Sequence, residues 1–159
     1  MGTRVWLITG CATGIGALLA QRVLDRGEAV VATDKEERSL GHLTCSDPAR
    51  LLTVQMDVTH DDEIAQAVQV ALQRFGRIDI LVNNAGIGHG GPIEEATMSE
   101  LRLVMNVNAL GVMAVTKVVL PHMRKRGEGH IINLSSDSGK VGFPVLGLYT
   151  AAQHAVEGF

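Results

Sequence analysis

Apolar runs and helical patterns alternate along the whole of this chain. Five short runs, at residues 4–9, 29–33, 51–56, 78–82 and 130–134, are almost continuously hydrophobic. Runs of that length without alternation predict strands buried on both faces, the habit of a parallel sheet. Between them, apolar residues recur at helical spacing: Ile15, Leu18, Leu19 and Val23 share one face, and Ile64, Val68, Ala71, Leu72 and Phe75 another. The longest helix is expected over 98–126, with Leu101, Val104, Met105, Val112, Val115, Val119 and Met123 turned inward. Thr97 with Glu100 reads as a capping box at its start and Gly127 as its stop. Thr59 with Asp62 reads as the start of the preceding helix. Strand–helix alternation with short links and right-handed crossovers predicts an α/β protein with a doubly wound parallel sheet in strand order 3-2-1-4-5, one domain over 1–159.

Composition narrows the field. The chain has 159 residues, enough for one core, with 46% apolar and 19% charged residues as in ordinary globular proteins. A net charge of −3 leaves no basic footprint for nucleic acid or for an anionic membrane. Cys11 and Cys45 are too few for a disulfide scaffold and suit a reducing compartment. No stretch reaches about 18 uncharged apolar residues, and the apolar start at 5–8 runs into a glycine turn instead of a leader-peptide cleavage site. A cytoplasmic protein is therefore expected. The six histidines have no metal-ligand spacing, so no metal site is expected.

The chemistry starts at that glycine turn. Residues 5–8 lead into Thr9-Gly10-Cys11-Ala12-Thr13-Gly14-Ile15-Gly16. Strand, glycine turn and helix in that order cradle a pyrophosphate, with one glycine for the turn, one for close backbone approach and one for helix–strand packing. The helix N-terminus adds free N–H groups and its positive dipole end. Asp34 ends the second predicted strand, where a carboxylate accepts hydrogen bonds from an adenosine ribose and repels a 2′-phosphate. The alternative for Asp34 is a helix N-cap before Lys35, and the Lys35 charge itself would favour a phosphate. The Gly-rich stretch 86–92 is either a plain connection or part of a ligand site, since it follows a strand's C-terminal end.

Residues 9–16, Asp57-Val58, Asn83-Asn84-Ala85-Gly86, Asn108-Ala109-Leu110-Gly111, Ser135-Ser136 and Tyr149 together resemble the short-chain dehydrogenase/reductase family over nearly the whole chain. The branch it looks most like contains steroid and retinol dehydrogenases. The resemblance implies a Rossmann-like fold and an NAD cofactor, with NADP possible, held by Gly10, Thr13, Gly14, Ile15, Gly16 and Asp34. Asp57 and Val58 would contact the adenine, while Asn84, Ala85 and Gly86 would line the nicotinamide side and brace the sheet. Asn108 would hold a proton-relay water at a kink in the long helix. Ser136 would polarise the substrate oxygen, and Tyr149 would be the acid/base toward a secondary alcohol or ketone. A homo-oligomer through the long helix is the implied assembly. Plainer roles stand beside each of these: Asp57 as a turn cap, Asn83 as a loop acceptor, Ser135 and Ser136 as a strand end, Tyr149 as core, Cys11 as packing.

Two departures bear on function. The family's tyrosine is followed four residues later by lysine; here Tyr149 is followed by Gln153. The spacing keeps both on one helical face, but the positive charge is gone. Neither Lys140 nor His154 is placed in sequence to replace it. The chain also stops at Phe159, inside the tyrosine helix, so the last third of the family fold is expected to be missing and the fifth strand to be an open edge. Three readings follow: an NAD(P)-dependent oxidoreductase, a dinucleotide-binding pseudoenzyme without proton transfer, or an incomplete product.

Overall fold

The computed structural model describes residues 3–159. The apolar runs form strands β1 (Val5–Thr9), β2 (Ala29–Asp34), β3 (Leu51–Gln55), β4 (Ile80–Asn83) and β5 (His130–Asn133). All pair in parallel, in the order β3-β2-β1-β4-β5. Leu7 lies in register between Val31 and Leu81, and Asn83 stands opposite Asn133. The expected run at 78–82 starts its ladder two residues late. Ile78 and Asp79 lead in, with the Ile78 carbonyl taken by Arg126 and the Asp79 amide by Val5.

Crossover helices cover the sheet because alternate strand residues point to opposite faces. On one face Leu7, Val31 and Leu81 meet Ile64, Ala67, Val68 and Ala71 of α2 (Asp61–Phe75) and Val115, Val119 and Met123 of α4 (Gly111–Arg126). On the other, Ile8, Val30, Ala32 and Val82 meet Ala20, Val23 and Leu24 of α1 (Gly14–Asp25). Each large aliphatic side chain so buried contributes about 1.5–3 kcal/mol by leaving water.

Local departures from the sequence pattern have local causes. In α1, Ile15 and Leu18 are 66% and 71% exposed, against expectation, and the inward face is Gly16, Ala20, Val23 and Leu24. The helix packs through its small residues because the glycine turn draws it close to the sheet. α2 begins at Asp61 with His60 at the cap position; Thr59 is not the cap, because its hydroxyl donates to Asp57 at 2.7 Å. The capping box at Thr97 and Glu100 and the left-handed stop at Gly127 are as expected. The long helix is not uniform. It comprises α3 (Met98–Met105), a π turn over Asn106–Leu110, and α4. At 29 residues, Met98–Arg126 is long and apolar enough by composition to cross a membrane, which the count of uncharged residues missed; Val104, Val112, Val115, Val119 and Met123 are buried inside the protein instead.

At the N-terminal ends of the strands an ionic cluster ties β1 and the lead-in to β4 to the end of α4. Asp79 accepts the Val5 amide at 2.8 Å, Arg77 Nε at 2.8 Å and Arg126 Nη2 at 2.5 Å. Burial alone would raise the Asp79 carboxyl, but the Arg77 hydrogen bond, the Val5 amide and the two guanidinium charges hold it below its ordinary range. β5 is the last strand of the sheet, and its Ile132 is 42% exposed.

Candidate active site

The residues singled out in the sequence gather at the C-terminal ends of the strands. Gly10 and Gly14 adopt left-handed φ angles of 72° and 60°, open to glycine at little cost. A Cβ on Gly10 would lie 2.8 Å from the Ala85 backbone, and one on Gly16 would collide with the Gly10 carbonyl and the Asn84 amide group. At Gly14, by contrast, a Cβ would meet nothing within 4 Å. Thr13 occupies the cap position of α1 without a side-chain cap bond, so the first amides of the helix remain available to an anion. Ile15 stands exposed beside them.

A residue outside the expected site list braces this turn. Thr9 Oγ1 accepts the amides of Asn84 at 3.0 Å and Ala85 at 2.9 Å. Asn84 Nδ2 donates back to the carbonyls of Thr9 and Gly10 at 2.8 and 2.9 Å. The segment Asn84–Gly86 therefore splints the glycine turn from behind. The signal for Thr9 was a hydroxyl at the end of an otherwise apolar strand. Cys11 is packing: its thiol donates to the Ile8 carbonyl, and burial pushes it up to about 12, with the Thr33 backbone contact opposing and the Asp34 charge adding.

Asp34 caps no helix. Its Oδ2 accepts the Ala12 amide at 2.9 Å, and the short turn beyond it starts with Glu36 at the cap position. With Gly10, Asp57, Val58, Gly86, Leu103 and Val107 it lines a cavity of about 210 Å³, and Lys35 reaches the same rim. Asp57 also serves as a turn cap, accepting the Thr59 amide and hydroxyl. Burial would raise its carboxyl, but those two bonds bring it below the ordinary range.

The second half of the site sits on β4, β5 and the helices after them. Asn83 Nδ2 donates to Asn133 Oδ1 at 2.8 Å and to Thr116 Oγ1 at 3.0 Å, which locks the ends of β4 and β5 to α4. Asn108, 2% exposed, lies in the π turn. There Oδ1 accepts the Ile87 amide at 2.8 Å and Nδ2 donates to the Ile87 carbonyl at 2.7 Å. Single π turns of this kind recur at functional sites because they displace a side chain from the regular ladder. The Gly-rich connection is thus held, not loose, and Gly91 further donates to the Val145 carbonyl at 2.7 Å.

Ser136 heads a short turn, its hydroxyl donating to Asp137 Oδ1 at 2.8 Å. Tyr149 lies half-buried in the first turn of α5 (Gly147–Gly158). α5 packs on α3 and the π turn through Leu148 and Ala152 against Val104, Leu101 and Met105, which brings the tyrosine helix to Asn108. Gln153 is 6% exposed, and among the described residues its Oε1 has no hydrogen-bond partner. Lys140 pairs with Glu157, and His154 Nδ1 donates to the Thr150 carbonyl, so neither takes the place of a lysine at 153.

These elements make up a parallel sheet with a glycine-rich turn at the C-terminal ends of its strands. The profile of the family described as short chain dehydrogenase matches residues 4–159, and the chain belongs to that family. It is 41% identical over 160 residues to a 3-ketodihydrosphingosine reductase of Bacteroides thetaiotaomicron, covering all of this chain and 56% of that protein. It is also similar to the structure of a short chain dehydrogenase/reductase of Burkholderia phymatum in complex with NAD, at a TM-score of 0.93 and 31% identity over 98% of this chain and 57% of the other. For ElxO with NADP bound the values are 0.91 and 35%, over 99% and 65%. The chain spans somewhat over half the length of curated relatives that it matches, 56% and 58% of two of them.

Proposed function

We propose that the protein is an NAD(P)-dependent oxidoreductase fold whose reaction is hydride exchange between a nicotinamide and a secondary alcohol or ketone. The observation that carries this reading is the splinted glycine turn: Cβ-free space at Gly14, collision at Gly10 and Gly16, and uncapped helix amides. The residues present fit a dinucleotide. Gly10, Thr13, Gly14, Ile15 and Gly16 would hold its pyrophosphate, Asp34 a ribose, and Asp57 and Val58 the adenine in the adjoining cavity, with Asn84, Ala85 and Gly86 beside the nicotinamide. When bound, the cofactor supplies the hydride acceptor or donor.

The chain's own part is proton handling. Ser136 would hold the substrate oxygen and Tyr149 would give or take its proton. Asn108 is tied to Ile87 by one bond at each end of its amide, and the second lone pair of Oδ1 and the second hydrogen of Nδ2 would hold a relay water there. A second reading, nucleotide binding without turnover, is favoured by one observation: Gln153 supplies a neutral amide where the family has a cation. Cytoplasmic location and assembly through the long helix complete the proposal, the latter supported by Leu110 standing 54% exposed on it.

Titration calorimetry with NADH and NADPH tests the cofactor reading. Asp34, fixed by the Ala12 amide, repels a 2′-phosphate, so NADH is expected to bind at least about tenfold tighter, the equivalent of ~1.4 kcal/mol. Equal binding would mean that Lys35 outweighs Asp34, and no binding of either would end the proposal.

A further inference from the structure

Between β3 and α2 runs the turn 57–60, of which Asp57 and Val58 line the cavity beside Asp34. Val58 is fixed from one side by α4: a Cβ on Gly111 would lie 2.8 Å from Val58 Cγ2. Asp57 is fixed by Glu63, which lies in the first turn of α2 and outside the expected site. Glu63 Oε2 accepts the Asp57 amide at 2.7 Å, and His60 Nδ1 donates to Glu63 Oε1 at 3.0 Å. One carboxylate therefore grips both ends of the turn. Inside it the Asp57 carboxylate is already oriented, since Thr59 donates its amide at 2.9 Å and its hydroxyl at 2.7 Å to Oδ1. Both bonds fall on one oxygen, and Oδ2 is the one left to a ligand.

We propose that Glu63 is a positioning residue: by accepting the Asp57 amide it holds the Asp57 carboxylate where Oδ2 can take the exocyclic amine of the cofactor's adenine. This rests on the reading that the cavity at Asp57 and Val58 receives the base. Glu63 touches no cofactor in that reading. Its contact with the exposed His60 is of little worth by itself, whereas the bond to the Asp57 amide is short and part-buried. Any acid in the first turn of a helix suits the helix dipole. The position of Asp57 asks for more than charge, because only a side chain of glutamate length reaches back across the turn.

Two variants separate reach from charge. Glu63→Asp keeps an acid in the first turn of α2, and with it the helix start. Its carboxylate sits one methylene further back, about 1.5 Å, beyond hydrogen-bond distance of the Asp57 amide. Glu63→Gln loses the charge but keeps the reach, with an oxygen for the Asp57 amide and an NH2 group for His60 Nδ1. Each is titrated by calorimetry with NADH and with its hypoxanthine analogue, which carries an oxygen in place of the exocyclic amine. The wild-type protein is expected to prefer NADH by about tenfold, the equivalent of ~1.4 kcal/mol, because the analogue forfeits a hydrogen bond to a carboxylate. In Glu63→Asp the preference should fall to about twofold or less, and in Glu63→Gln it should stay within about twofold of wild type. A merely structural role would weaken both dinucleotides equally and leave the preference intact. That result overturns the proposal, as does a preference lost alike in both variants or kept in both. Equal binding of the two dinucleotides by wild type would also overturn it, while NADH binding itself would leave the proposed function standing. No NADH binding by wild type would instead end the proposed function, and the role of Glu63 with it.

Discussion

Gln153→Lys tests the electrostatics of the site most directly. Tyr149 and Gln153 are four residues apart on α5, which puts their Cβ atoms about 5–6 Å apart on one helical face. Position 153 is 6% exposed, so solvent screens a charge there poorly. At an effective dielectric near 20, a cation about 4 Å from the phenolate contributes roughly 4 kcal/mol and one about 6 Å away roughly 3 kcal/mol. Those values correspond to lowering a phenol's ordinary pKa of about 10 by about 2–3 units. Desolvation of the new ammonium works against this, so the lower end, about 2 units, is expected. The assay is the pH titration of the single tyrosine, with circular dichroism in the same cuvette to show that the fold persists. A folded variant whose midpoint moves by less than about half a unit would refute the argument, and another group would have to set the phenol. For catalysis, about 2–3 units equal a hundred- to thousandfold in rate at neutral pH. Negligible dehydrogenase turnover is therefore expected from the glutamine chain. In a chimaera that appends the C-terminal part of a longer relative, the lysine version should form NADH from secondary alcohols faster than the glutamine version by that factor. Equal rates in the two chimaeras would be a second refutation.

Two further outcomes follow from the packing. Gly16→Ala drives a methyl group into the Gly10 carbonyl and Asn84; it should cost about 1–3 kcal/mol of stability in a denaturant titration and weaken NADH binding, whereas Gly14→Ala, in open space but at positive φ, should perturb less packing. Asp79 should govern acid stability. Its folded carboxyl lies below the ordinary value of about 3.9, so its stabilising effect is complete above that pH and is lost as pH falls through the lower, folded value. Asp79→Asn is expected to lower stability at neutral pH by about 1.5–3 kcal/mol and to flatten the acid-unfolding curve below pH ~4. A curve parallel to wild type would show that Asp79 is not the group titrating.

How much of this was legible beforehand differs from element to element. The five strands, their order and the glycine turn follow from short-range facts: continuous apolar runs, glycines where φ is positive, and handed crossovers. Those signals are local and survive in one dimension. The inward face of α1 was misread because periodicity weighs large apolar residues, whereas the close approach of a helix to a glycine turn selects small ones, Gly16 and Ala20. Asn108 drew notice as a polar residue in an apolar helix, yet only the structure shows the π turn and the grip on Ile87, since both depend on a loop 21 residues away.

The sequence by itself determined the fold class, the family, the nucleotide cradle and the missing lysine, because each is written in residue type and spacing. Tertiary structure alone decided that Asp34 serves the Ala12 amide, that Thr9 and Asn84 splint the turn, and that Gln153 is buried with an oxygen unpaired among the described residues. Such facts rest on hydrogen bonds between groups as far as 76 residues apart. No local pattern encodes these, since a side chain's partner is fixed only when separate strands and helices are brought within a few ångströms.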